Sequence, residues 1–317
     1  MTHHGGVCVF SERHEVVLEL LAAGRDLTDG ELIAVATESE GETGALEQIA
    51  CGATQTFLIE PVDGAQAGDL NVEALVQVLE RVAPAVVLIG ATTHGTEVAS
   101  RLAQRLAVGC ASECTELARR NGELHIERAY LGRFVSRQVI ETRPAIATVQ
   151  PRRFPALRPD ASRTGELHRL KIEVAPTRTP IVDTRHRERS GVAIDKADVV
   201  VGIGRGLRSK DDLRMIEELA RALGGVVGAS RPLTDDLEWL SPDVKVGLSG
   251  ITVKPKLYIA CGISGQIEHH VGMRESGVVV AINTDPAAPI MQQADYCITG
   301  DLHEIVPALI KAVKGLR

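Results

Sequence analysis

Short apolar runs alternate with longer stretches in which apolar residues recur every third or fourth position, and this rhythm fills the first third of the chain. Residues 7–10, 32–36, 56–59 and 85–90 have the length of buried strands, whereas 15–23, 45–50, 71–82 and 96–106 carry helical periodicity. Strand and helix in strict alternation predict a parallel sheet with helices on its faces, because parallel neighbours need a long crossover. After Gly109 the strands become shorter and more polar (123–128, 135–140, 145–150) and are expected to extend or edge that first sheet. Residues 151–180 are rich in Pro and Arg, and 183–189 are densely charged, so the interval reads as a connector rather than packed helix.

Alternation resumes with strand 198–202. A helix follows that Ser209 and Asp212 can open as a capping box and Gly224-Gly225 can close, and strands 226–227, 257–261, 278–282 and 296–299 come next. Asp301 is a good N-cap for a last helix running to about Lys314. The expected fold is α/β in two domains, 1–188 with a connector over about 151–190, and 189–317, each a mainly parallel sheet with flanking helices.

Candidate chemistry concentrates in the second domain. Cys261-Gly262-Ile263-Ser264-Gly265-Gln266-Ile267-Glu268-His269 follows an apolar strand, and such a strand-turn-helix step presents free backbone N–H groups to an anion. Its glycines permit close backbone approach, Ser264 can cap the helix, and His269 stands one turn in, within reach of a bound ring. An ordinary strand-to-helix turn has the same glycines. Gly202-Ile203-Gly204-Arg205-Gly206-Leu207 approximates the dinucleotide fingerprint, but Leu207 stands where the third glycine belongs, so a standard NAD site is poorly supported. Ser230 and Arg231 end a short strand and should emerge at the carboxyl edge, where α/β sheets bind ligands.

Composition narrows the classes. With 44% hydrophobic and 24% charged residues among 317, the chain is that of an ordinary soluble globular protein. A net charge of −7 opposes nucleic acid as a partner. No apolar stretch reaches membrane-span length and the start carries no secretory or Arg-rich transit pattern, so a cytoplasmic protein without direct membrane insertion is expected. The six cysteines lack paired spacings, which fits reduced thiols and leaves Cys110 and Cys114 without a second pair for a metal. Aromatics are 3% of the chain, with Trp239 the single tryptophan, so a flat cofactor would lie against an arginine plane rather than in an aromatic cage.

From Gly204 to Leu302 the order and spacing of motifs resemble the FAD-binding domain of the electron transfer flavoprotein alpha subunit family. The segments that carry the likeness are Gly204-Arg205-Gly206-Leu207, Gly228-Ala229-Ser230-Arg231, Val246-Gly247-Leu248-Ser249-Gly250, residues 255–265, Asn283-Thr284-Asp285-Pro286 and Gly300-Asp301-Leu302. The N-terminal part resembles the family less sharply, through Gly90-Ala91-Thr92, Gly95 and Glu97. The resemblance implies a Rossmann-like C-terminal domain holding FAD. It also implies that Arg205 binds the phosphate region, Ser230 helps hold the cofactor and Arg231 lies against the isoalloxazine, where a guanidinium stabilises charge on the reduced ring. Read as ordinary surface residues, Arg205 is a solvated turn arginine and Arg231 pairs with Asp235 or Asp236.

By the same resemblance Val246, Gly247, Leu248 and Ser249 form the loop reaching N5, with Ser249 where many members have Thr and Leu248 where they have Gln. Ser264, Gly265, Gln266, Ile267, Glu268 and His269 would follow the pyrimidine edge and pyrophosphate, His269 facing N1 and O2 as a donor or imidazolium able to change charge near neutrality. Gln266 replaces a usual small residue. Glu268 replaces a usual Gln, so its carboxylate should point away, pair with a cation or lower the potential. His270 should lie at the surface. Asn283, Asp301 and Leu302 would contact the adenosine end, and Asp301 can equally be a simple cap.

No triad, paired-carboxylate or metal-hydrolase pattern is legible, and no catalytic or metal-ligating residue is assigned. The resemblance implies an electron carrier with a beta subunit holding AMP or a second FAD, an acyl-CoA dehydrogenase or related flavin dehydrogenase as donor, and a quinone oxidoreductase or ferredoxin as acceptor. The likeness is tighter to the branch associated with nitrogen fixation and carnitine or acyl-CoA reduction. That keeps open a subunit of an electron-bifurcating complex with NADH oxidised at the partner's flavin. A nucleotide-binding module without redox work is the remaining alternative.

Overall fold

The computed structural model describes residues 4–62, 66–130, 134–173 and 193–315. The chain divides into two compact units, Met1–Thr184 and Arg185–Arg317. The charged interval 183–189 and the first three residues, both read from sequence, lie outside the described residues.

The first unit runs β1 (His4–Phe10), α1 (His14–Arg25), β2 (Leu32–Ala36), α2 (Gly41–Ala50), β3 (Gln55–Ile59), α3 (Ala67–Val82), β4 (Pro84–Gly90) and α4 (Thr93–Leu106). It continues through β5 (Cys110–Arg120), β6 (Glu123–Tyr130), β7 (Phe134–Ile140), β8 (Ala145–Val149) and β9 (Glu166–Leu170). These strands form one nine-stranded sheet in the order β7-β6-β5-β8-β4-β1-β2-β3-β9. From β5 to β9 neighbours are parallel, and β6 and β7 add an antiparallel flank.

Helices cover both faces, so the central strands are buried on both sides. Every residue of β2, β4 and β8 is buried, and β1 sends Val7 and Val9 to the core under α1 while Cys8 and Phe10 meet α3 and α4. The expected extension of the sheet beyond Gly109 is present. The strand over 145–150 is a correction, however: β8 lies inside the sheet between β5 and β4, fully buried rather than at an edge. A second correction concerns the connector, because β9 falls within it and pairs with β3. Its short alternating pattern is masked in sequence by flanking Pro and Arg.

The second unit comprises β10 (Val199–Ile203), α5 (Leu213–Leu223), β11 (Val226–Ala229), β12 (Leu257–Cys261), α6 (Ile267–Met273), β13 (Val278–Asn283), β14 (Tyr296–Thr299) and α7 (Leu302–Gly315). Its five strands are all parallel in the order β11-β10-β12-β13-β14, a doubly wound sheet. Val201, Ile203, Ile259 and Cys261 face the core under α5 and α7, while Val200, Tyr258 and Ala260 face the core that includes Met273 of α6. The Asp212 carboxylate accepts from the Ser209 N–H at 2.8 Å ahead of α5, and Gly224 ends that helix in the left-handed conformation, as the sequence implies. Among the described residues no helix is long and apolar enough to cross a membrane.

In the first unit, His14 at the start of α1 bonds Glu40 through Nδ1 at 2.8 Å and Glu47 through Nε2 at 3.0 Å. Glu40 is itself nearly buried and also accepts from the Thr37 N–H and the Gln48 amide. Desolvation lowers the His14 pKa, but the two carboxylates outweigh it and raise the pKa above the ordinary 6.5. A raised folded-state pKa stabilises fully below 6.5 and is lost as pH climbs through the folded value. His14→Gln is therefore expected to cost about 1 kcal/mol near pH 6, a value held low by solvent screening. The difference in urea midpoint between wild type and variant should shrink steadily as pH rises above 6.5.

Candidate functional site

The strand order places a switch point between β10 and β12, whose following connections leave toward opposite faces, and a crevice opens there at the carboxyl edge. Residues after all five strands line it: Gly204 to Gly206, Ser230 to Pro232, Gly262 to Ser264, Asn283 with Thr284, and Gly300 to Leu302. The loop 246–249 and the α6 residues Gln266, Glu268 and His269 complete a cleft of about 600 Å³, a size suited to a cofactor.

Glycines shape its floor. A Cβ on Gly206 would lie 2.6 Å from the Gly262 Cα, and one on Gly204 would lie 2.3 Å from the Gly262 carbonyl oxygen, so the two turns meet backbone to backbone. The loop 246–249 is pinned the same way. Val246 N donates to the Ala229 carbonyl at 2.8 Å, Leu248 N donates to the Glu268 carbonyl at 2.6 Å, and a Cβ on Gly247 would strike that carbonyl at 2.6 Å. Asn283 ties two turns together by donating to the Ile263 carbonyl at 2.9 Å and accepting from Asp285 N.

Fourteen of the sixteen residues expected at the site line the cleft; the exceptions are Gly265 and Ile267. Gly265 (φ +79°) packs against the Ile290 backbone, and Ile267 is exposed. Sequence reading assigned no role at the site to Pro232, Ile263, Ile282, Thr284 and Gly300, although Ile263, Thr284 and Gly300 stand in the motifs quoted for the resemblance; Pro232 follows β11 and Ile282 ends β13 beside Asn283. One expectation fails at α6: the N-cap is Gln266, without a side-chain bond, and Ser264 instead accepts through its carbonyl from Ile290 N at 3.0 Å. The extra positive-φ residue Gly265 carries the chain past the position where a serine could cap.

Charge is distributed unevenly around the cleft. Arg231 is exposed and only loosely paired with Asp235, at 3.5 Å; Asp235 has a closer partner in Lys245 at 3.0 Å. Arg205 is exposed and makes no ion pair among the described residues. Glu268, also exposed, lines the cleft and pairs with no cation among them, so the second of its expected options is not met. Asp301 caps α7 by accepting from His303 N at 2.9 Å, and it also binds the His303 ring and Arg208, so its carboxyl is held below the usual range.

His269 differs from expectation. It is 7% exposed, and burial pushes its pKa down to about 4, so it is a neutral imidazole that does not change charge near neutrality. Nε2 is 2.9 Å from the Tyr258 hydroxyl, whereas Nδ1 has no partner in hydrogen-bond geometry. His270 is half-buried rather than at the surface.

Residues 7–175 match the electron transfer flavoprotein domain, and residues 193–274 match the electron transfer flavoprotein FAD-binding domain. The chain is 35% identical to the electron transfer flavoprotein subunit alpha of Thermoanaerobacterium thermosaccharolyticum over the whole of both chains. It is 36% identical to the Bacillus subtilis subunit alpha, covering 96% of this chain and 94% of that one. Protein FixB of Azotobacter vinelandii is 36% identical over 98% and 91%. The chain belongs to the electron transfer flavoprotein alpha subunit family.

The cofactor of the second unit of this alpha subunit is accordingly FAD. The cleft fits it: the glycine floor lets a pyrophosphate approach backbone N–H groups, and the orphaned Nδ1 of the nearly buried His269 lacks the partner that a ring carbonyl would supply. Gly265→Ala should destabilise this unit by about 1–3 kcal/mol, because the residue must hold φ +79° while its Cβ meets the Ile290 backbone at 2.5 Å. Gly224→Ala, also at positive φ but in open space, should cost only about 1 kcal/mol. Denaturation followed by far-ultraviolet circular dichroism, with flavin quantified beforehand, should show FAD loss in the first variant alone.

Proposed function

We propose that this alpha subunit carries electrons, in a heterodimer with a beta subunit, from a flavin dehydrogenase such as an acyl-CoA dehydrogenase to a redox acceptor. The observation that carries the reading is an apolar side chain standing exposed at the rim of the cleft. The loop 246–249 leaves Leu248 70% exposed at the rim beside Ser249, an apolar side chain that a second subunit would cover. FAD supplies the redox chemistry. Around it, Arg205 would neutralise phosphate, Ser230 and Asn283 would hold the cofactor, Ser249 would donate to the reactive edge, and Leu302 with the Asp301 cap would bound the adenosine end. Arg231, free to leave its loose pairing with Asp235, would lie over the ring as a fixed positive charge.

A second reading makes the chain the FAD-binding subunit of an electron-bifurcating or acyl-CoA reductase complex, with NADH oxidised at a beta-subunit flavin. Ser249, in place of the common Thr, and the resemblance to the branch associated with nitrogen fixation favour it. The purified heterodimer should contain one FAD and one AMP under the first reading and two FAD under the second. A heterodimer without flavin would refute both.

Arg231 and Glu268, of opposite charge at the cleft rim, should act in opposite directions on the flavin. Removing the cation in Arg231→Ala is expected to lower the first reduction potential by tens of millivolts, and neutralising the carboxylate in Glu268→Gln to raise it by a similar amount. Spectroelectrochemical titration at low and high salt tests both, since the shifts at these exposed groups should shrink with screening. Unchanged potentials would exclude both residues from the ring's surroundings.

A further inference from the structure

Gly202 is the one glycine of the Gly202-to-Gly206 run that plays no part in the cleft. It lies within β10, and a Cβ there would fall 2.1 Å from the Tyr258 hydroxyl oxygen and 2.5 Å from its ring. Tyr258, from the neighbouring β12, is fully buried, and the space above Gly202 lets its hydroxyl pass across the sheet to His269 Nε2 at 2.9 Å. The two rings meet tilted, with centroids 6.1 Å apart. One glycine, one tyrosine and one histidine from three different elements are thus joined directly behind the cleft wall.

We propose that Tyr258 is a positioning residue that donates to Nε2, thereby fixing His269 as the Nδ1–H tautomer and making it a permanent hydrogen-bond donor to the ring bound in the cleft. The assignment follows from counting hydrogens. The phenol keeps its proton, because burial pushes its pKa far up, and among the described residues His269 Nε2 is the one hydrogen-bond partner of the hydroxyl. Were Nε2 to carry the imidazole proton instead, it would donate to the phenol oxygen. The phenol hydrogen would then be buried without an acceptor, and Nδ1 would be a bare acceptor as well. With the hydroxyl donating, the Nδ1–H is left without a hydrogen-bond partner, a buried polar group on a residue that lines the cleft.

The surrounding groups agree with a neutral ring. Desolvation is the main influence on His269, and the neighbouring His270 adds to it. The Val246 carbonyl favours an N–H on the ring without reaching full hydrogen-bond geometry. A donor held in this way needs no proton uptake to meet a flavin carbonyl. His269 would then favour electron density on the pyrimidine side by a directed dipole rather than by a titrating charge.

The inference rests on FAD occupying the cleft as proposed above, and the test separates the two. In the heterodimer labelled with ¹⁵N-histidine, two-bond ¹H–¹⁵N spectra should show His269 with Nδ1 protonated and Nε2 bare, unchanged between about pH 5.5 and 8. The signal is assigned by its loss in His269→Gln. Tyr258→Phe removes the hydroxyl and keeps the ring; it should mix the tautomers, shift the flavin potential and weaken FAD retention roughly twofold to tenfold. Gly202→Ala, which crowds the hydroxyl without deleting it, should move the His269 signals in the same sense. An Nε2–H tautomer in the wild type overturns the proposal even if Tyr258→Phe fails to fold. So do unchanged tautomer and potential in a folded Tyr258→Phe protein. A colourless heterodimer with His269 still in the Nδ1–H form refutes the flavin reading while leaving the tautomer assignment standing.

Discussion

The turns after β10 and β12 touch through Gly206 and Gly262 so closely that a single Cβ would sit 2.6 Å from an opposing Cα, and the cleft depends on that contact. Two parallel strands whose connections leave in opposite directions open a crevice at their carboxyl ends. Side chains at the two turns would fill it. With glycine in both, the backbone itself forms the floor, and N–H groups rather than methyl groups face the ligand. The same economy recurs at Gly247, which presses on the Glu268 carbonyl, and at Gly272, whose Cβ would lie 2.3 Å from Gly247 N. The loop that shapes the open rim is therefore held by close-packed main chain, which a change of side chain elsewhere cannot readily loosen.

Electrostatics in the cleft divides by depth. At the rim, Arg205, Arg231 and Glu268 are exposed, so solvent screens them and their influence on a bound cofactor depends on ionic strength. Behind the wall, His269 and Tyr258 are shielded from water, and both are driven to their neutral forms. Such a pair acts through oriented hydrogen bonds that neither salt nor moderate pH changes disturb. At the far end, Asp301 joins a helix cap, an imidazole and the Arg208 guanidinium, so its carboxylate is already committed and what remains available to a ligand is chiefly its backbone.

The first unit solves a different problem. Its sheet is wide, with parallel central strands buried on both faces and an antiparallel flank where β7 leaves Phe134, Val135 and Val139 exposed. At the carboxyl end of β2 the buried Glu40 joins Thr37, Gln48 and His14 into one hydrogen-bonded cluster. A buried carboxylate is tolerated there because each of its oxygens has partners, one of them cationic when His14 is protonated.

Much of this protein was legible in the chain. Alternating strand and helix periods implied two parallel α/β units, since a parallel sheet buried on both faces requires continuous apolar strands. The resemblance carried by the motifs from Gly204 to Leu302 named most of the cleft residues, which in such folds fall at and just after strand ends. Tertiary structure alone decided the rest. A run of five apolar residues at 145–149 reads the same at the edge or the centre of a sheet, and β8 became central only through pairing with both β4 and β5. Residues 166–170 became a strand only because β3 offered an open edge. Tyr258 looks like one more strand residue, and His269 like a histidine free to titrate, until the fold buries both and sets them 2.9 Å apart. Periodicity and spacing are properties of neighbouring residues along the chain, whereas desolvation and hydrogen-bond partnership arise between segments far apart in sequence, so local pattern could not contain them.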